Sequence, residues 1–281
     1  MPDALTGFSR ALYASWLWHR PLQLLVDAGE GLQLALGRNV FQPSYLAITH
    51  GHSDHVLGLP GLAAARRFGK GAQQKPLTIF HPEGSTGVQA MRDLLADLWR
   101  GVDFPLTWVP MAPGAGRDLP KGRRLEAFAV AHVPGEPCLG YRVVEPRRRL
   151  KAAFAALPQA EIEALGRQGR RDELMETVPH VVFVHSGDAM PLAPDLVRDA
   201  DLLVHDATFL DADDRREPIH AATAEVLALA AGAGVGGLVL QHLSVRYPRD
   251  TALATLAAQR AASGYAGPVW LLDDATFVPV P

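Results

Sequence analysis

The stretch Tyr45-Leu46-Ala47-Ile48-Thr49-His50-Gly51-His52-Ser53-Asp54-His55 joins a short apolar run to four side chains that can ligate metal. The apolar run reads as a buried strand, and the polar residues begin where the chain leaves it. Alternate residues project together, so His50 and His52 can reach one ion while Asp54 and His55 turn toward a second. Imidazole and carboxylate donors suit zinc, manganese or iron. A solitary histidine is usually a core or surface residue, but four such side chains on one turn form a pattern.

Further along, other apolar runs end the same way. His132 closes Phe128-Ala129-Val130-Ala131, and His242 closes Leu238-Val239-Leu240-Gln241. Asp188 follows Val182-Phe183-Val184-His185-Ser186-Gly187, where Gly187 permits a sharp turn. One aspartate can bridge two cations about 3.5–4 Å apart. The expected sets are His50, His52, His132 and Asp188 for one ion, and Asp54, His55, His242 and Asp188 for the other.

Strand-like runs fall at 23–27, 45–49, 77–81, 125–132, 180–185, 202–205, 238–242 and 269–272. Helical spacing marks 86–100, with Ser85 as its N-cap, and also 221–231 and 250–262. Strands interspersed with helices, some strands consecutive, indicate a mixed α/β sandwich rather than a doubly wound sheet. The segment 147–175 stands apart, with Arg147, Arg148, Arg149 and Lys151 before an amphipathic stretch and Arg170 and Arg171 after it. It reads either as a solvated helical excursion or as a basic arm that grips a substrate.

The 281 residues carry a net charge of −3, with 48% hydrophobic and 20% charged residues, which fits a globular chain and excludes a disordered one. No global basic field draws nucleic acid, so any such contact must come from a local patch. The single cysteine, Cys138, excludes an intrachain disulfide and reads as a buried small hydrophobe in a reducing compartment. With no basic-then-apolar leader and no run near the roughly 20 residues that span a bilayer, a cytoplasmic location is expected.

These residues resemble the metallo-β-lactamase superfamily, and within it ribonuclease Z, the tRNA 3′-processing endonuclease. The likeness runs from about Leu22 to Leu272. It rests on Asp27-Ala28-Gly29-Glu30-Gly31, on His50 to His55, on Ser186-Gly187-Asp188, on His205-Asp206-Ala207-Thr208-Phe209 with His220, and on His242-Leu243-Ser244-Val245-Arg246-Tyr247. The first two elements occur across the superfamily; the last two point to the ribonuclease Z branch.

The resemblance implies an αββα four-layer sandwich of two mixed sheets with helices outside. It implies one domain over 1–281, with 147–175 as an arm-like insertion. It also implies two divalent ions, most readily zinc, and a homodimer. A water activated by the metals attacks phosphorus, Asp54 accepts its proton, and His220, oriented by Asp206, protonates the leaving oxygen. Asp27 and His205 are expected to support the ligands from behind, and Thr223, Ser244 and Arg246 to contact substrate. Precursor tRNA is the implied substrate, with small phosphodiesters, thioesters or lactones as the alternative on the same scaffold.

The chain departs from the family pattern in several places. Asp206 stands where Glu is usual, and Ala221 and Ala222 replace a Ser-Thr pair. No opening strand with a glycine turn is legible before Arg10.

Overall fold

The computed structural model describes residues 2–69, 75–98 and 104–281. Among these residues six strands form one sheet, in the order β1 (Leu5–Arg10), β2 (Ala14–His19), β3 (Leu24–Val26), β4 (Tyr45–Ala47), β5 (Leu77–Pro82) and β6 (Leu106–Met111). The first three run antiparallel, and β3 through β6 run parallel. Eight strands form the second sheet: β7 (Gly116–Leu119), β8 (Arg123–Ala129), β9 (Leu139–Leu150), β10 (Met175–His185), β11 (Leu203–Asp206), β12 (Leu238–Gln241), β13 (Val269–Asp273) and β14 (Thr276–Val280). Here β10 through β13 are parallel and the flanking pairs antiparallel.

The helices of the first half are α1 (Leu32–Leu36), α2 (Ser53–Val56), α3 (Leu59–Phe68) and α4 (Thr86–Asp97). Those of the second half are α5 (Gln159–Arg167), α6 (Arg171–Leu174), α7 (Pro194–Val197), α8 (Thr223–Gly232) and α9 (Arg249–Ser263). No helix of the described residues is long and apolar enough to cross a membrane.

Period-two alternation explains the layers. Leu24, Val26, Ala47 and Phe80 of one sheet meet Tyr141, Val143, Phe183, Val204 and Val239 of the other in the inter-sheet core. Their neighbours Leu25 and Leu46 turn outward onto Leu32, Leu59, Leu62 and Val88 of the first helical layer. Leu203, Leu238 and Leu240 turn the opposite way, onto Val226, Leu227, Ala252 and Leu256. Each buried leucine or valine contributes on the order of 2 kcal/mol, and a one-residue slip would exchange the two layers. The result is the expected α/β sandwich of two mixed sheets with helices outside.

Three expectations are corrected. An opening strand exists: β1 pairs with β2, and the turn between them places Leu12 at φ 73 where a glycine would be usual. It was illegible because its buried positions are Leu5, Gly7 and Ser9, two of which are not apolar. The strand expected at 125–132 ends at Ala129, which leaves His132 on a loop. The helix expected at 86–100 ends at Asp97, and residues 99 and 100 lie outside the described residues. Ser85 caps that helix as expected, its Oγ accepting from Val88 N at 3.3 Å.

The 147–175 segment is a strand hairpin closed by helices. Pairing of β9 with β10 continues out to Leu150 opposite Met175, and Pro146 to Arg149 are exposed. Most of its basic groups are already paired: Arg147 with Asp201, Arg148 with Asp172, Arg149 with Glu176 and Arg170 with Glu173. Cys138 is a buried thiol whose pKa is pushed up to about 11 by burial.

Candidate metal centre

Every expected ligand sits just beyond a strand, at the same end of both sheets. The chain leaves β4 at Ala47, and His50 and His52 follow; α2 then carries Asp54 and His55. Asp188 lies beyond β10, His132 beyond β8, and His242 directly beyond β12. Gly187 takes φ 64, and a Cβ there would lie 2.8 Å from the Thr49 Cβ, so the turn into Asp188 requires glycine. Gly29 of the Asp-x-Gly-Glu-Gly element serves the other side, because its Cβ would lie 2.4 Å from the Asp54 carbonyl. Asp27 and His242 themselves adopt positive φ, 58° and 64°, a conformation few L-residues hold without support.

The Asp188 carboxylate lies at the centre. Its Oδ2 is 3.2 Å from His242 Nε2, 3.4 Å from His55 Nε2, and 3.9 Å from both His50 Nε2 and His132 Nε2. Asp54 Oδ2 is 3.7 Å from His55 Nε2 and 3.6 Å from His242 Nε2. His132 Nε2 and His52 Nδ1 are 3.4 Å apart, close to the ~3.3 Å between two nitrogens on one tetrahedral ion with bonds near 2 Å.

Hydrogen bonds on the far side of four of the five rings fix which nitrogen is free. His55 Nδ1 donates to Asp27 Oδ2 at 2.8 Å. His50 Nδ1 donates to Thr49 Oγ1 at 3.0 Å, and that hydroxyl donates onward to Asp27 Oδ2. His242 Nδ1 donates to Thr208 Oγ1 at 2.9 Å, which donates to Asp206 Oδ1. His132 Nδ1 donates to the Ile219 carbonyl at 3.0 Å. Each relay consumes the Nδ1 proton and leaves an Nε2 lone pair aimed inward.

Those inward atoms test the fit of a cation. Nε2 of His50, His55 and His242 and Oδ1 of Asp188 are buried without a hydrogen-bond partner, which is costly unless something else binds them. The donor set of imidazole nitrogens and carboxylate oxygens matches divalent first-row metals. Burial lowers the pKa of His50 and His132 and so keeps them neutral. Burial opposes charge on Asp188, yet His242 and His55 hold its carboxyl well below the usual range.

His220 completes the cluster. Its Nδ1 is 2.5 Å from Asp206 Oδ2, and its ring stacks 5.1 Å from that of His242. A ring nitrogen lies within 4.8 Å of ligand atoms of His132 and Asp188. Burial works against charge on this imidazole, but Asp206 raises its pKa above the ordinary histidine value. Asp206 reaches His220 despite being one methylene shorter than the family's usual Glu.

The remaining expectations divide. Asp27 supports His55 directly. His205 does not support a ligand: its hydrogen bonds go to the Leu192 N and the Asp206 carbonyl. Strand alternation is the reason, since Asp206 faces the site and its neighbour must face the other way. Thr223 is also corrected; it is fully buried and bonds the Leu210 carbonyl and Gln259. Ser244 lines a cavity of about 260 Å³ beside His242, together with Ser9 and Arg10. Arg246 is exposed, with its guanidinium 5.2 Å over the Phe209 ring.

Sequence reading missed three supports. Thr49 and Thr208 carry the hydroxyl relays, and Ser9 Oγ accepts from the His242 N at 2.8 Å, which steadies that strained residue. Thr208 was visible within His-Asp-Ala-Thr-Phe but had no assigned partner. Thr208→Val should weaken metal binding about 10- to 100-fold, because His242 loses its orienting acceptor. Titration against a competing chelator measures this, and unchanged affinity would contradict the relay.

An αββα sandwich with a histidine–aspartate cluster across the ends of its two sheets defines a metal-dependent hydrolase of the metallo-β-lactamase class. The model of the Metallo-beta-lactamase superfamily matches residues 18–145. The chain is 35% identical over 258 residues to Ribonuclease Z of Bradyrhizobium sp. (strain ORS 278), covering 83% of each chain. The chain belongs to the ribonuclease Z family of that superfamily. Among solved structures, human tRNase Z (short form) superposes with a TM-score of 0.65 at 22% identity, covering 99% of both chains. YhfI from Bacillus subtilis does so with 0.66 at 16%, covering 98% of this chain and 99% of the other. At these identities the two structures attest the fold.

Proposed function

We propose that this chain is a two-metal phosphodiesterase that cleaves RNA, with the 3′ ends of precursor tRNA as substrate. One ion would be held by His50, His52, His132 and Asp188, and the other by Asp54, His55, His242 and Asp188. Zinc suits these donors most readily, with manganese or iron as alternatives. Bound there, the ions would supply a nucleophilic water at neutral pH. Asp54, at the rim of the cluster, would accept a proton from the attacking water. His220 gives a proton to the leaving oxygen, and Asp206 holds the imidazole with its other nitrogen turned to the site.

The observation that carries this reading is the half-buried His220 joined to the fully buried Asp206 beside the candidate ligands. A ribose alkoxide is a poor leaving group and needs a dedicated acid, which contributes about 10² to 10⁴ in rate. The names of the relatives, Ribonuclease Z and tRNase Z, support RNA as the substrate class. Incubating the metal-loaded protein with an RNA that carries a 3′ trailer tests it directly. One metal-dependent cut, abolished by chelator and restored by metal, is expected; intact RNA with the metal retained contradicts the proposal.

The 147–175 hairpin is read as the RNA-gripping arm of a single domain. Its ion pairs are exposed and therefore weak, so the guanidinium groups can exchange partners for phosphates. Replacing Arg148, Arg149, Arg170 and Arg171 with Ser should weaken RNA binding and flatten its salt dependence by roughly 0.7–0.9 in log–log slope per lost phosphate contact. An unchanged slope returns the segment to a solvated excursion. A cytoplasmic homodimer completes the proposal, supported by the single, buried Cys138 and by exposed apolar residues such as Leu12, Tyr13 and Leu34.

A further inference from the structure

His220 sits on an irregular segment ahead of α8, and a proton donor is only as good as the placement of its donating nitrogen. The backbone of Phe209 holds its far end, the Phe209 N donating to the Ala221 carbonyl at 3.2 Å, and three side chains add to this. The Ile219 carbonyl accepts from His132, as described above. Arg215 Nη1 donates to the His220 carbonyl at 3.1 Å. Glu225, in the first turn of α8, accepts from the Ala222 N at 2.8 Å and so closes the far end.

Arg215 and Glu225 form one unit. Nη1 and Nη2 of the guanidinium meet Oε2 and Oε1 of the carboxylate at 2.8 and 2.9 Å. The pair is largely shielded, with 15% of the arginine side chain exposed. A planar guanidinium can grip a carboxylate with two nitrogens while one of them also donates to a carbonyl; an ammonium cannot reproduce that fork. Both terminal nitrogens are engaged inside the protein, so this arginine is not set to receive a phosphate.

We propose that Arg215, locked onto Glu225, is a positioning residue for proton transfer: it ties down the His220 carbonyl and thereby fixes how far the imidazole reaches. Asp206 alone pins the ring at Nδ1 and leaves it free to pivot there whenever the backbone shifts. Two anchors, one on the side chain and one on the carbonyl, remove that freedom. A displacement of about 1 Å at a reacting centre can cost about 10²-fold, so loss of the second anchor should be visible in the rate. The proposal rests on the reading of His220 as the proton donor.

The test compares kcat on RNA with kcat on bis-p-nitrophenyl phosphate, whose leaving group needs no proton. The variants are Arg215→Gln, Arg215→Lys, His220→Ala and the Arg215→Gln/His220→Ala double. Arg215→Gln should lower kcat on RNA by about 10- to 100-fold with KM and metal content unchanged. The nitrophenyl ester should change by less than about twofold, since it bypasses the acid. Arg215→Lys should recover part of the loss, and the Arg215 effect should vanish in the His220→Ala background. Equal slowing of both substrates, loss of metal, or a full Arg215 effect without His220 overturns the proposal. Leaving-group selectivity at His220 without any at Arg215 overturns it alone, whereas a His220→Ala variant that slows both substrates alike removes the acid reading and this proposal together.

Discussion

Asp188→Ala is expected to empty both metal positions and to lower turnover by about a thousandfold or more. The Oδ2 of this buried carboxylate lies within 3.9 Å of Nε2 of His50, His55, His132 and His242, so no other side chain can replace it as the shared anion. Without it, five imidazole nitrogens and the more exposed Asp54 must hold the charge of two cations. Several kcal/mol of metal-derived stabilisation would be lost, and each 1.4 kcal/mol is tenfold in rate. Plasma mass spectrometry on the purified variant should find well under one ion per chain, against about two for the parent, as expected for eight ligand positions filled by seven side chains. Two ions tightly retained in the variant would contradict the bridging role.

His220→Ala should produce a different signature: metal retained, but a loss that depends on the leaving group. His220 is joined to Asp206 and stacks on His242, yet it belongs to neither proposed ligand set. RNA cleavage should fall by about 10²-fold or more, and nitrophenyl ester cleavage by at least tenfold less, since nitrophenolate departs without a proton. Asp206→Asn should show the same pattern. Part of its effect would come through Thr208 and His242, because Asp206 Oδ1 also accepts from the Thr208 hydroxyl. Metal lost from His220→Ala, or equal slowing of both substrates, would remove the acid role and favour a carbonyl-hydrolase reading.

The fold was legible wherever apolar residues ran together, as in β4, β11 and β12, and illegible where burial fell on Gly7 and Ser9. The His/Asp cluster was legible because His and Asp at strand ends stand out against apolar runs. Their supports were not. Thr49, Thr208 and Ser9 are ordinary residues in sequence, and their roles arise only when β1, β4 and the loop after β11 converge on the same rings. His205 and Thr223 failed as expectations for the opposite reason: one lies inside a quoted motif and the other three residues after His220, but strand and helix geometry turn their side chains away from the site. The clamp of Arg215 on Glu225 spans ten positions, with no spacing rule that would pair them.

On the proposal above, this cluster hydrolyses phosphodiesters. The most direct measurement is kcat/KM of the metal-loaded protein, determined in parallel on precursor tRNA, bis-p-nitrophenyl phosphate, and a panel of thioesters and lactones. Precursor tRNA is expected to exceed every carbonyl substrate by about 10²-fold or more, the contribution of an acid aimed at an alkoxide. A thioester or lactone turned over faster than precursor tRNA by the same metal-loaded protein would contradict it.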